Sequence, residues 1–237
     1  MGYRRPEIEL GDRYDMPCET EEDWQKIREK YMPEMVQLTA QSGLDTMCHA
    51  VESIVSAQRN HMSTALSLKS FELVWNDLPK ALSDENCLEV RAEMSAAGLM
   101  AGIAYTDAQV NFGHFIIHAL GARYHTPHGE LCGVVLPYLA EFCTKYMSAE
   151  MAQIARIIGI DPAAENFGAE MAEKIRVFVR GTGLRSLAGC GIPKEEVLEM
   201  TEMMYGGFQS SRATASCMKQ APKAEFTHFI EKIASDQ

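Results

Sequence analysis

The chain has 237 residues, of which 46% are hydrophobic and 23% charged, and a formal net charge of −11. That is enough apolar material for a sizeable core in one or two domains, and the acidic balance argues against nucleic acid and anionic membranes as partners. No apolar run approaches the roughly 20 residues of a membrane-spanning helix, and the first nine residues lack the apolar core of a signal peptide.

In chain order, residues 1–20 are polar, with Pro6, Gly11 and Pro17. A short charged helix is expected over residues 21–30, and helical periodicity is nearly continuous from Met32 onward. The run containing Leu66, Phe71, Leu73, Val74 and Leu78 is expected to end near Pro79. Residues 88–105 are rich in Ala, Met, Leu and Glu, which favour helix. Residues 129–146, 151–158 and 169–179 give three more helices, Pro193 opens another, and Phe226, Phe229, Ile230 and Ile233 mark a last one. Gly181-Thr-Gly and Gly189-Cys-Gly read as loops. The expected organisation is a short irregular N-terminal segment, residues 1–32, followed by an all-α multi-helix bundle, residues 33–237. The seven cysteines, spread from Cys18 to Cys217 without a Cys-x-x-Cys pair, read as reduced thiols of a cytoplasmic protein.

Four residues carry the chemistry. Asp45 and His49 are four apart and so project from one helix face. His114 and His128 come from a second helix and its outgoing loop. One carboxylate and three imidazoles make a shell for a divalent transition metal. His118 lies one turn after His114 and points to the same cavity, where a histidine titrating near neutrality suits proton transfer. His125 could line the site but is at least as well read as exposed loop. His61 and His228 read as surface residues. Cys48 is about 100° around the helix from His49 and reads as core.

The segments Thr39-Ala-Gln-Ser-Gly-Leu-Asp-Thr-Met-Cys-His-Ala, Ala101-Gly-Ile-Ala-Tyr and Asn111 to Gly129, with Pro127-His-Gly and then Leu136-Pro, resemble the helical metal-binding domain of the iron-containing (group III) alcohol dehydrogenases. That domain is dehydroquinate synthase-like in fold. The resemblance covers residues 33–237 and implies Asp45, His49, His114 and His128 as ligands of Fe2+, or of Zn2+. It assigns His118 to the nicotinamide side of the cavity, as a cofactor contact and proton relay. The implied reaction is oxidation of a primary alcohol or diol by NAD or NADP, or reduction of the aldehyde, with the metal acting on the oxygen.

The sequence departs from the family pattern in three places. Asp107 and Asn111 stand where Asn and Gly are common, and the usual Asn-Pro is absent around residues 216–218. The family places a dinucleotide-binding α/β domain before the helical one; residues 1–32 contain no strand, Gly-rich turn and helix of that kind. The expectation is therefore the metal-binding half of a dehydrogenase, inactive alone, with a separate nucleotide-binding subunit or a homo-oligomer as possible assembly. Two other readings are a non-catalytic metal-binding or interaction module of the same fold, and a metal-dependent hydrolase with Glu52 or Glu130 as candidate base.

Overall fold

A computed structural model of the chain describes residues 20–84, 87–109, 112–210 and 221–235. The expectations for residues 1–19, for Asn111 and for residues 216–218 lie outside them. Among the described residues there are ten helices and no β-sheet, so the bundle is all-α as the sequence predicts.

Contacts divide the chain into two compact units, Met1–Gln37 and Leu38–Gln237. Helix α1 (Glu21–Val55) begins in the first unit, and its residues 38–55 belong to the second; it opens on reciprocal bonds between Thr20 and Asp23. The Thr20 hydroxyl accepts from the Asp23 N–H at 3.2 Å, and the Asp23 carboxylate accepts from the Thr20 N–H at 3.1 Å. The charged helix expected at 21–30 is the start of α1, which continues through Pro33 without a break. Residues 21–32 are thus helical rather than irregular. A proline removes a single i→i−4 bond, and the turns on either side hold the helix direction.

In the second unit, Asn60 caps α2 (His61–Ser83). Its side chain accepts from the N–H groups of Met62 and Ser63, and the Ser63 hydroxyl accepts from the Asn60 N–H. Pro79 does not end α2, which runs one more turn to Ser83, where the Asp84 N–H bonds the Lys80 carbonyl. α3 (Leu88–Ala108) packs along α2. The contact faces carry small buried residues, Ser63, Ser67 and Ser70 against Ala97, Ala101 and Ala104. Small side chains let the backbones approach, and the Ser70 hydroxyl donates to the Ala97 carbonyl at 2.7 Å.

α4 (Phe112–Tyr124) and α5 (His128–Tyr146) follow. α5 is the centre of the bundle and packs on α4, α6 (Ser148–Ile157), α7 (Phe167–Gly181) and α10 (Lys223–Ala234). It buries Leu131, Val134, Val135, Leu136 and Leu139 on several faces, which is why its apolar spacing shows no single stripe. The short helices α8 (Lys194–Glu199) and α9 (Thr201–Ser210) complete the unit. After α7, Gly183 takes φ +77°, a left-handed conformation that favours glycine and ends the helix. Phe112 packs on Phe142, Phe226 and Phe229, tying the start of α4 to α5 and α10 two residues before His114.

Candidate metal centre

Three helices bring the predicted residues together. α1 supplies Asp45 and His49 one turn apart, α4 supplies His114 and His118 one turn apart, and His128 is the first residue of α5. One carboxylate oxygen is the hub. Asp45 Oδ1 lies 3.2 Å from His114 Nε2, 3.3 Å from His128 Nε2 and 3.4 Å from His49 Nδ1.

Two glycines permit this approach. A Cβ on Gly129 would meet the Cβ and the carbonyl oxygen of Gln41 at 2.4 Å, so only glycine lets the first turn of α5 lie on the α1 backbone and carry His128 to Asp45. Gly113 leaves room for the Glu52 carboxylate in the same way. Fully buried Glu52 accepts from the His114 N–H at 2.8 Å and lies 3.1 Å from His114 Nδ1. A carboxylate on Nδ1 fixes a proton there and leaves Nε2 as the ring nitrogen that faces Asp45 and would bind an ion, an arrangement typical of metal-binding histidines.

The other residues fall into place around this core. The His49 ring is stacked between Tyr105, at 4.5 Å between centroids, and His114, at 4.3 Å. His118 is exposed, with its ring 5.8 Å from His114 and 5.2 Å from His128. His125, with φ +52°, is exposed in the turn after α4. His61 and His228 are also exposed, and the cap beside His61 is Asn60. Cys48 is buried, its thiol donating to the Cys132 carbonyl at 3.5 Å.

Sequence reasoning missed Cys132. It sits one turn after His128 on α5, and its Sγ lies 3.5 Å from Asp45 Oδ1. Asp45, His114, His128 and Cys132 form a group whose donor atoms all lie within 4.8 Å of one another. The signal was present as a His-x-x-x-Cys spacing that repeats the logic of Asp45 and His49.

The electrostatics follow from the crowding. Burial raises the Asp45 carboxyl, but the bonds to His114 and His128 outweigh it and hold the group far below the usual carboxylate range. Burial opposes the charged form of His114, yet the Glu52 charge and the bonds to Asp45 and Glu52 push it up to about 11. His128 is raised to about 9, chiefly by its bond to Asp45. His49 is lowered to about 4 by burial and by the neighbouring His114. Burial, with His114 and His128 beside it, also lowers His118. Hard oxygen and imidazole donors gathered around one point suit a divalent transition metal.

The two candidate bases of the hydrolase reading are committed elsewhere. Glu52 holds His114, and buried Glu130 is paired with Arg185 at 2.7 Å and bonded by the Cys190 thiol at 3.1 Å. Among the described residues no helix is long and apolar enough to cross a membrane. Cys48, Cys87, Cys132, Cys143 and Cys190 are free thiols.

Comparison with known proteins agrees with this architecture. Residues 39–232 match the model of the Fe-containing alcohol dehydrogenase family, C-terminal domain. The chain is 29% identical over 173 residues to long-chain-alcohol dehydrogenase 1 of Geobacillus thermodenitrificans, covering 70% of this chain and 43% of that one. It is 33% identical over 122 residues to the 1,3-propanediol dehydrogenase of Klebsiella pneumoniae, covering 52% and 32%. The solved alcohol dehydrogenase from Oenococcus oeni superposes with a TM-score of 0.76 at 24% identity, over 84% of this chain and 52% of that one. The chain thus spans less than half the length of these two sequence relatives and about half of the solved chain. It belongs to the iron-containing alcohol dehydrogenase family, over that family's C-terminal helical domain.

Proposed function

We propose that Asp45, His49, His114 and His128 bind one divalent transition metal ion, and that the chain is the metal-binding part of an NAD(P)-dependent alcohol dehydrogenase. The observation that carries this reading is the convergence of three imidazoles on one Asp45 oxygen at 3.2–3.4 Å, with a buried carboxylate behind His114. The names of its relatives favour a primary alcohol, a diol or the corresponding aldehyde as substrate.

The ion, when bound, supplies Lewis acidity at the substrate oxygen, and the nicotinamide carries the hydride. The chain's own residues position and exchange protons. Glu52 holds His114 in one tautomer. His118, exposed beside His114 and His128 and lowered below its ordinary value, is uncharged near neutrality and can take a proton from the cavity to solvent.

Residues 1–237 by themselves hold NAD(P)H weakly. Among the described residues no Gly-rich turn between a strand and a helix is present to bind the pyrophosphate. Without that anchor, the roughly 7–11 kcal/mol available from proximity is largely lost. A nucleotide-binding domain, fused or added in trans, supplies it.

Metal analysis of the purified chain should find about one ion, and His114→Ala or His128→Ala should sharply reduce it. NADH formation from short primary alcohols and diols, with iron or zinc added, should be low for residues 1–237 alone and rise with the nucleotide-binding domain. Full metal occupancy in both variants would remove the ligand assignment. Metal binding without turnover under any of these conditions would favour a non-catalytic module.

A further inference from the structure

We infer that Cys132 Sγ is a ligand of the same ion, which makes the centre a mixed oxygen, nitrogen and sulfur site that prefers zinc to ferrous iron. The inference rests on the metal reading of this site and deepens it, with Cys132 rather than His49 as the fourth donor beside Asp45, His114 and His128.

The three distances from Asp45 Oδ1 have the lengths expected of edges in a shared coordination shell. In a tetrahedron with metal–N and metal–O bonds of about 2.0–2.1 Å and a metal–S bond of about 2.3 Å, N···O edges are about 3.3 Å and an S···O edge about 3.5 Å. Asp45 Oδ1 lies 3.2 Å from His114 Nε2, 3.3 Å from His128 Nε2 and 3.5 Å from Cys132 Sγ. These four residues also form the mutually close group, whereas His49, though near Asp45, stands outside it, stacked on Tyr105 and His114.

Position and surroundings explain how the sulfur is held. Residues four apart on a helix share a face, so the first turn of α5 aims His128 and Cys132 at one point. The Cys132 backbone is tied to α1 through the Cys48 thiol. Cys132 is fully buried, so its sulfur faces Asp45 rather than solvent. Binding replaces the S–H bond with a metal–sulfur bond and releases the proton to solvent. A thiolate is a soft donor, and adding one to imidazole and carboxylate favours zinc over an ion that prefers hard ligands.

Cobalt(II) reports sulfur ligation directly. The cobalt-loaded chain should show a near-ultraviolet sulfur-to-metal charge-transfer band. Cys132→Ser should lose that band yet keep the visible ligand-field bands, whereas Cys48→Ser should keep both. Zinc affinity of Cys132→Ser should fall by at least about tenfold, the lower range for disturbing a metal site, with less effect on ferrous iron. X-ray absorption of the zinc-loaded native chain should find one sulfur neighbour, a result that needs no variant to fold. Stoichiometric cobalt without the band, or zinc without sulfur, overturns the inference and leaves the Asp/His assignment standing. A native chain that binds neither ion overturns both.

Discussion

His114 is held between two carboxylates, Glu52 on Nδ1 and Asp45 on Nε2, at 3.1 and 3.2 Å. That placement makes Glu52 a positioning residue. Glu52→Gln keeps an acceptor for the His114 N–H but loses the charge that fixes the tautomer, so metal affinity should drop about 10–100-fold with little change in fold. Calorimetric titration with zinc, beside far-ultraviolet circular dichroism, checks this. The same contacts set a pH dependence for the ion-free chain. The folded values of His114 and His128, about 11 and about 9, exceed the ordinary 6.5. The folded chain therefore holds more protons than the unfolded chain above that pH. Their contribution to stability is complete below about 6.5 and is lost as pH rises through about 9 and then about 11. Asp45 works in the opposite sense, stabilising above its ordinary 3.8 and losing that contribution as pH falls through its lower folded value. With a chelator present, the melting temperature should fall from pH 6.5 toward 9, and His128→Ala should flatten the fall. Metal affinity should rise over the same interval, because the ion displaces those protons.

At the scale of elements, the site depends on how closely α5 lies on α1. The i, i+4 pairs Asp45/His49, His114/His118 and His128/Cys132 each come from one helix and are legible as spacing in the sequence. Their convergence is not, because it requires Gly129 against the Gln41 backbone and Gly113 against Glu52. Gly129→Ala forces a methyl into backbone atoms that cannot move independently. It should destabilise the fold by about 1–3 kcal/mol, as overpacking does, and also weaken metal binding by moving His128 away from Asp45. Urea unfolding paired with metal titration separates the two effects; unchanged stability would show that α5 can shift freely. Pro79 marks where reading by element went astray: a lone proline suggests a stop, but α2 runs one more turn to Ser83, where the Asp84 N–H bonds the Lys80 carbonyl.

At the scale of the molecule, metal and fold are linked. The candidate ligands come from three helices, α1, α4 and α5, so an ion bound only by the folded chain stabilises all of them together. Zinc at one hundred times its dissociation constant should stabilise the chain by about 2.7 kcal/mol, read as a concentration-dependent rise in melting temperature. His114→Ala should abolish the rise while keeping the helical circular dichroism. A rise of the same size in that variant would place the zinc elsewhere.

The sequence by itself determined the helical class, the family, most helix positions and the Asp and His residues now found together. These depend on local spacing and composition, which the chain carries wherever it folds. Tertiary structure decided the rest. Glu52 was legible only as a possible base; 62 residues before His114, it became that residue's partner once α1 and α4 met. Cys132, 87 residues beyond Asp45, joined the cluster because α5 starts on the α1 backbone. His49 took a stacked position between two rings from other helices. A helix fixes which residues share a face, but only packing between helices fixes which faces share a site.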